Sequence, residues 1–336
     1  MEMARKERID RGLKVRTEGI YAVSSFQEIA YLVGPRLLLI VGVLLLPLIL
    51  DLAPYWKRVV NIMCVYAILA LAFDFLANYV GLVCLGGALF VGVGGYLSAI
   101  FNVHLSIPFY FSIPLATVCG ACICTAIILP CLPLRGVYFA IVTLMYPILF
   151  SRIIEAFNIL GGTNGISGVD SFPHEYVEEY AIIIAMLVAL FAMRRFVNQD
   201  VGLVFRGVKD NDQSVRASGI NITYMKSIGV FIASLMGCFA GAYLAHLYMW
   251  AGLSLFALDF SIIPIAAVVI GGGGTLVGAV IGCFILVPLS EFLRFFGTLR
   301  IVIYCAALTA FIVFKSEGIM VYLQRKYHQF ERWVKV

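Results

Sequence analysis

Charged residues are scarce in this chain: Asp, Glu, Lys and Arg make up 13% of its 336 residues, whereas hydrophobic residues make up 62%. A typical soluble domain has about 25% charged residues. Between Asp74 and Arg135 there is no Asp, Glu, Lys or Arg, although a membrane-spanning helix needs only about 20 mainly apolar residues. This composition excludes a water-soluble globular protein and indicates a chain that crosses a membrane several times.

The sequence also lacks the short motifs of several enzyme classes. It has no GxxxxGKS or GxxxxGKT phosphate loop, so we do not expect the chain to hydrolyse nucleotide itself. His104 and His246 have no sequence-visible nucleophile and no HExxH-like companion, and we interpret both as packing or interface residues. The predicted spans contain no series of acids and histidines of the kind that a proton-coupled carrier usually needs. We therefore expect no enzyme activity in this chain and an energy source outside it.

The cysteines and the net charge exclude further classes. Nine cysteines stand almost entirely in apolar segments, which is typical of small hydrophobic side chains and not of a disulfide framework. Cys119, Cys122 and Cys124 approach the spacing of metal ligands, but no nearby histidine or acid completes a set. The net charge of +5 comes from loops and tails. We expect no metal site, no cofactor and no nucleic acid partner.

Continuous apolar runs, rather than alternating ones, predict helices and not the strands of a barrel. The runs lie at 37–53, 59–76, 82–102, 109–131, 136–157, 179–197, 227–250, 260–295 and 299–315. The eighth run contains four glycines, Gly271, Gly272, Gly273 and Gly274, and each glycine weakens a helix by about 1 kcal/mol relative to alanine. We predict a break there, with a short helix ending near Gly271 and a longer one beginning near Leu276.

The distribution of basic residues predicts the orientation, because Lys and Arg accumulate in cytoplasmic segments. The arm 1–36 and the tail 316–336 are basic, and the loop at 158–178 has no Lys or Arg. Only an even number of crossings puts both basic ends inside, and the predicted glycine break supplies it. We predict an all-α polytopic membrane protein with about ten transmembrane helices, both termini cytoplasmic, a transmembrane domain at 37–315 and a cytoplasmic loop at 198–226.

A few charged residues stand near or within the predicted spans. Asp74 is the deepest, and an ionisable group at membrane depth is a candidate functional site. It marks either a proton or ion path, or a pairing or capping role near the interface. Arg152 and Glu155 are three residues apart on one helix face, which predicts a local ion pair.

The most distinctive polar pattern in the chain is FRGVKDNDQSVRASGINITYMK, within the predicted cytoplasmic loop. Asp210, Asn211 or Asp212 can cap a short helix running through 213–218. Gly219 can close that helix in the left-handed conformation. The pattern indicates either a docking element or an ordinary amphipathic surface loop.

Six segments in order resemble the branched-chain amino acid ABC transporter permease family, specifically its LivM-like branch. They are GLVCLGGALFVGVGGY (81–96), LRGVYFAIVTL (134–144), GGTNGISG (161–168), FRGVKDNDQSVRASGIN (205–221), AAVVIGGGGTLVGAVIG (266–282) and FKSEGI (314–319). The resemblance implies a permease subunit that moves a small polar solute, a branched-chain or related amino acid, across the bacterial inner membrane. The implied partners are a second homologous permease in a heterodimer, two ATP-binding subunits, and a periplasmic or extracellular substrate-binding protein.

The resemblance also implies two sets of site residues. The first resembles the coupling helix that seats in a groove of the ATPase subunit, and it comprises Asp210, Asn211, Asp212, Val215, Arg216, Ala217 and Gly219. The second is a substrate pathway, and it comprises Cys84, Gly87, Phe90, Tyr96, Thr143, Gly162, Thr163, Asn164, Gly271, Gly272, Gly273 and Gly274.

The sequence departs from the family pattern in the 81–96 motif. Family members usually have serine at the place of Cys84 and histidine or glutamine at the place of Gly87, so the pathway of this chain is expected to be less polar. Urea, short amides and other small organic solutes therefore remain alternative substrates. The alternative classes are a self-contained channel or secondary carrier, which would transport alone, and a membrane enzyme or non-transporting scaffold.

Overall fold

The computed structural model describes residues 4–10, 40–47, 54–134, 136–296, 299, 306, 309 and 318–335. The helices are α1 (40–47), α2 (Pro54–Phe75), α3 (Gly87–Val103), α4 (Phe109–Ile128), α5 (Val137–Phe157), α6 (Glu175–Val197), α7 (Asp200–Asp210), α8 (Asp212–Ala217), α9 (Ile222–Leu247), α10 (Asp259–Gly271), α11 (Val277–Phe292) and α12 (Ile319–His328). Four short strands are β1 (Ala4–Asp10), β2 (Ile166–Ser167), β3 (Trp250–Ala251) and β4 (Gln329–Lys335). β1 pairs with β4 and β2 pairs with β3, both antiparallel.

Helix dominates because the chain is apolar, and a backbone in lipid must satisfy its own hydrogen bonds. Within the described residues, six helical segments are long and apolar enough to cross a membrane: Tyr55–Val80, Phe109–Cys131, Val137–Phe157, Tyr176–Val197, Ile222–Leu247 and Leu253–Gly271. α3 and α11 are shorter apolar helices. The prediction of an all-α polytopic membrane protein is confirmed. About half of the predicted span 37–53, most of 299–315 and most of the basic arm 1–36 lie outside the described residues.

The predicted break in the eighth apolar run is present. α10 ends at Gly271, and α11 begins at Val277. The two helices pack closely after the turn, since a Cβ at Gly271 would overlap the carbonyl oxygen of Gly278, and one at Gly282 would overlap that of Ala267. Glycine thus breaks the helix and allows its two halves to approach.

The segment 198–226 is more ordered than the loop that the sequence predicts. α7 and α8 occupy most of it, and α9 begins at Ile222. The missed helix α7 has apolar residues at helical spacing, and Phe205 and Val208 are buried. The charged residues of α7 obscured that pattern in the sequence.

The centre of the bundle is formed by α2, α3 and α9. α2 is the most buried of the long helices. α3 lies directly against α9 because Gly94 faces the backbone of Cys238, and Gly241 faces the backbone of Val91. Glycine at such contacts lets helix backbones approach closely in a membrane.

The helix α2 does not end in a simple turn. It continues as a π-helix, Leu76–Val80, and stops at Gly81, whose φ is +80°. The next residues, 82–86, are not helical, and α3 begins at Gly87. α10 begins in the same neighbourhood, since a Cβ at Gly87 would lie 2.8 Å from the carbonyl oxygen of Phe260.

Candidate functional site

A small cavity lies where the non-helical segment 82–86 leads into α3. Its volume is about 20 Å³, which is the room for about one water molecule. α2, α3, the 82–86 segment and α10 enclose it. The lining residues are Leu69, Ala72, Phe73, Leu76, Cys84, Gly87, Phe90, Phe260, Ser261 and Pro264. Three residues of the predicted pathway, Cys84, Gly87 and Phe90, are therefore brought together here.

The cavity adjoins the first turns of two helices. The Ser261 Oγ, in the first turn of α10, accepts a 3.0 Å hydrogen bond from the Ala88 N–H in the first turn of α3. Most first-turn N–H groups of both helices are already bonded to nearby carbonyl oxygens, those of Gly86 and Leu258 among them, so the positive charge at this end comes from the two helix dipoles. The site therefore combines mainly apolar walls with a weakly electropositive end.

The depth of this site follows from the contacts of α3. Phe90 packs on Gly237, in the middle part of the membrane-length helix α9. α3 therefore begins inside the bundle and not at its surface. Interrupted helices at membrane depth are tolerated only where protein or a cavity surrounds them.

Thr143 is not among the residues that line the cavity, but it binds the non-helical segment at the edge of the cavity. Its Oγ1 accepts a 3.0 Å hydrogen bond from the Leu85 N–H. The same oxygen lies 3.0 Å from the carbonyl oxygens of Phe139 and Ala140 in α5. Thr143 thus fixes the non-helical segment to α5.

Tyr96 lies further along α3, away from the cavity. Its ring stacks on Phe256 with 5.7 Å between centroids. The hydroxyl is buried and has no hydrogen-bond partner among the described residues. Tyr96 is a packing residue in this conformation, with one polar atom unsatisfied.

The remaining pathway residues lie at opposite ends of the bundle. Gly162, Thr163 and Asn164 belong to the loop after α5, and the Trp250 Nε1 donates a 2.8 Å hydrogen bond to the Asn164 carbonyl. Trp250 follows the last turn of α9, whereas α8 precedes its first turn. We call these the β3 end and the α8 end. The glycine turn 271–274 lies at the α8 end, so the cavity, the loop and the turn are three separate places.

The glycine turn is bound by Asp74. The Asp74 carboxylate is fully buried and accepts hydrogen bonds from the Gly274 N–H at 2.7 Å, the Leu276 N–H at 3.0 Å and the Asn78 side-chain amide at 2.7 Å. Of the two interpretations of Asp74 made from the sequence, the geometry is that of a capping residue. Hydrogen bonds from N–H groups to a carboxylate are strong because the acceptor is charged.

A buried polar cluster occupies the β3 end. The His246 Nδ1 lies 2.7 Å from the Asp170 carbonyl oxygen, and its Nε2 lies 2.9 Å from the Ser98 Oγ. Because a carbonyl only accepts, Nδ1 carries the proton and the Ser98 hydroxyl donates to Nε2. The Asn102 amide donates a 2.7 Å hydrogen bond to the Asp170 carboxylate. The interpretation of His246 as a packing residue is confirmed, and the cluster attaches the 166–174 loop to α3 and α9.

The sequence did not single out Ser261, Asn78, Ser98 or Asn102. Each is a lone polar residue in an apolar run, and this is the only feature of the sequence that could have identified it. Their partners are far away in the chain, so spacing alone could not pair them. Arg152 and Glu155 are near neighbours, and their predicted ion pair is present at 2.7 Å.

The short helix α8 is exposed and well capped. The Asn211 side chain accepts the N–H groups of Gln213 at 3.0 Å and Ser214 at 3.2 Å, so Asn211 is the cap among the three candidates. Gly219 has a φ of +81°, the predicted left-handed conformation. The Asp212 carboxylate pairs with Lys226 of α9 at 3.2 Å.

The predicted coupling residues of α8 do not all face outward. Arg216 and Ala217 are exposed, and they line a shallow surface depression with Asp212 and Gln213. Val215 is half-buried and faces Gly207 of α7. Val215 therefore attaches α8 to α7, and the outward surface is formed by its neighbours.

A multi-pass helical membrane protein with an interrupted helix and a cavity at its centre has the architecture of a membrane transport protein. Residues 56–314 match the family described as the branched-chain amino acid transport system permease component. The chain belongs to that family, and it is a transport component of the permease type.

Individual relatives agree with this assignment. The chain is 24% identical to the high-affinity branched-chain amino acid transport system permease protein LivM of Salmonella typhimurium, over 76% of this chain and 68% of that protein. It is 28% identical to a probable LivM of Methanocaldococcus jannaschii, over 63% of this chain and 70% of the relative. A tyrosine transport system permease of Clostridioides difficile is 26% identical over 47% of this chain and 52% of the relative. No solved structure matches this chain significantly.

Proposed function

We propose that the chain is the translocating permease subunit of an ABC importer in the bacterial inner membrane, driven by ATP that partner subunits hydrolyse. The single observation that carries this proposal is the exposed, capped helix α8. Its outward surface presents Gln213, Arg216 and Ala217, and Asn211 and Lys226 fix its position. A short rigid helix of this kind suits docking to an ATPase subunit. The other proposed partners are a second homologous permease and a substrate-binding protein outside the membrane.

The proposed mechanism is alternating access around the cavity beside α3 and α10. The cavity volume of about 20 Å³ is too small for an amino acid, so passage requires a second conformation in which the site is wider. Nucleotide binding to the ATPase subunits supplies the conformational work, because it favours one of the two states. The permease provides the path and no chemical step.

The proposed substrate is a branched-chain or related amino acid. Apolar lining residues such as Leu69 and Phe90 suit an aliphatic side chain. The cavity adjoins the N-terminal ends of α3 and α10, the positive ends of their helix dipoles, and these favour a carboxylate without a full side-chain charge. Short amides and urea are the alternative, favoured by the lack of a charged side chain among the lining residues.

The first experiment is affinity purification of the tagged chain in mild detergent, with mass spectrometry of the proteins that accompany it. The test variant is Arg216→Glu combined with Gly219→Pro, since proline cannot adopt the left-handed φ of residue 219. The matched control is Arg195→Glu, an exposed arginine in the last turn of α6. ATPase subunits should accompany the wild type and the control but not the double variant.

Either result is informative. If the wild-type chain purifies alone under several gentle conditions and transports when reconstituted alone, it is a self-contained carrier or channel and the importer proposal fails. If the complex is recovered, its ATPase rate in proteoliposomes is measured with leucine, isoleucine, valine, tyrosine or urea and the co-purified binding protein. The solute that stimulates hydrolysis and accumulates inside identifies the substrate class.

A further inference from the structure

We infer that Asp74 is a positioning residue that fixes the break between α10 and α11 and connects it to α7. The carboxylate is fully buried, yet its bonds go to the glycine turn and to Asn78, not to any cation within hydrogen-bonding reach among the described residues. Backbone N–H groups that lose their helical partners at a break need other acceptors. Asp74 supplies them for Gly274 and Leu276.

The turn is strained, and Asp74 holds the strained residue. Leu276 has φ +51° and ψ −52°, outside the regions that leucine normally adopts. Such a conformation persists only where its surroundings enforce it. The Leu276 side chain is buried, and its N–H is bound by the Asp74 Oδ2 at 3.0 Å. Loss of this hydrogen bond would remove one of the contacts that hold Leu276 in this conformation.

The π-helix after Asp74 provides the connection to α7. The Tyr79 hydroxyl donates a 2.6 Å hydrogen bond to the Gly274 carbonyl oxygen. The Lys209 ammonium donates to the Asn78 carbonyl oxygen at 2.9 Å. The Arg206 guanidinium lies 5.4 Å from the centre of the Tyr79 ring, within the range of a cation–π interaction. Single π-turns of this kind often occur at functional sites.

These contacts form one continuous path. α8 is capped by Asn211, the residue directly after α7. α7 contacts Asn78 through Lys209 and Tyr79 through Arg206. Asn78 in turn bonds to Asp74, and Tyr79 bonds to Gly274 in the turn. A displacement of α8 and α7 would thus act on the turn that sets the angle between α10 and α11.

The first test uses the isolated full chain in detergent and does not depend on transport. Lys209→Met keeps the packing of the side chain but removes its donor, and hydrogen exchange is followed by mass spectrometry. We expect faster exchange in the peptide covering 271–278, and the same in Asp74→Asn and Tyr79→Phe. If Lys209→Met leaves exchange in that peptide unchanged, the connection to α7 is overturned whatever the chain transports.

The second test rests on the proposed function and uses the reconstituted transporter with its partners. Tyr79→Phe removes only the hydroxyl, and Tyr243→Phe is the matched control, because the Tyr243 hydroxyl also donates to a backbone carbonyl, that of Glu178, at 3.2 Å. Solute transported per ATP hydrolysed should fall about fivefold or more in Tyr79→Phe, the lower range of allosteric coupling. The control should match the wild type.

The two failures can be distinguished. If Tyr79→Phe and Asp74→Asn lower thermal stability but leave solute per ATP unchanged, these residues are structural only and the inference is wrong. If no ATPase subunit binds the wild type, the proposed function fails, and the exchange experiment alone decides whether Asp74 connects the turn to α7.

Discussion

The indole Nε1 of Trp250 donates a 2.8 Å hydrogen bond to the carbonyl oxygen of Asn164. The bond attaches the loop after α5 to the end of α9. Beside it, Ile166 pairs with Ala251 in the two-stranded sheet of β2 and β3. The glycines around Asn164 have positive φ values, +53° at Gly162 and +69° at Gly165. The loop has a defined shape because glycine permits it and Trp250 holds it.

Replacing Trp250 with phenylalanine should destabilise this end of the bundle. The loss of one hydrogen bond, leaving the Asn164 carbonyl without its donor, is expected to cost about 1 kcal/mol. The measurement is the thermal unfolding midpoint of the purified chain in detergent. Trp56→Phe is the matched control, because the described residues provide no hydrogen-bond acceptor for its indole, and Trp56 packs on Phe292 instead. Equal shifts in both variants would show that only ring size matters.

Gly94 should not tolerate substitution by alanine, which adds a methyl group. A Cβ there would overlap the backbone of Cys238, and overpacking of this kind costs about 1–3 kcal/mol. Gly94→Ala is therefore expected to lower the unfolding midpoint and the yield of folded chain. Gly42→Ala serves as control, since a Cβ at Gly42 meets nothing within 4 Å. A Gly94→Ala variant as stable as this control would contradict the close contact of α3 with α9.

The two histidines near helix ends should differ sharply in their response to mutation. His246 is 1% exposed, and replacing it with phenylalanine leaves the Asp170 carbonyl without its donor, whereas the Ser98 hydroxyl keeps the Ser112 hydroxyl at 3.0 Å as a partner. An unsatisfied buried group costs about 1–3 kcal/mol. His104 is exposed, so His104→Phe should change stability by less than about 0.5 kcal/mol. Chemical or thermal unfolding of both variants side by side tests this, and equal effects would contradict the buried cluster.

The cap of α8 should be replaceable only by residues with a side-chain acceptor. Asn211→Ala is expected to cost the helix about 1 kcal/mol, and Asn211→Asp should retain the cap. Hydrogen exchange in the peptide covering 212–218 reports this directly. Faster exchange in the alanine variant only is the expected result. If the aspartate variant exchanges as fast as the alanine variant, the side-chain bonds to Gln213 and Ser214 do not hold α8.

Local signals allowed much of the fold to be predicted from the sequence. The glycine run at 271–274 predicted the break between α10 and α11, and the polar pattern around Asn211 predicted a capped helix closed by Gly219. Both depend on conformational preferences of neighbouring residues, and sequence shows those directly. The amphipathic helix α7 is not predicted, because its four charged residues within eleven are typical of a loop.

Contacts between distant residues could not be predicted in the same way. Asp74 stood out as a buried acid, but nothing in the sequence showed that its partners are Gly274 and Leu276, about 200 residues away. The pathway residues were grouped by motif, whereas the structure separates Asn164 from the cavity that contains Cys84. Tertiary packing decides these positions, and a single sequence does not record it.

The direct backbone contact between α3 and α9 has a mechanical consequence for the cavity. With almost no side chain between them at Gly94 and Gly241, the two helices form a rigid pair, because close-packed interiors resist deformation. α10 forms the opposite wall, and it is a helix of 13 residues that ends at the glycine turn and follows a short helical turn, Leu253–Phe256. α10 in turn lies against α11 with backbone contact at Gly271 and Gly282, so the cavity lies between two close-packed helix pairs, and widening it for a solute requires one pair to move against the other.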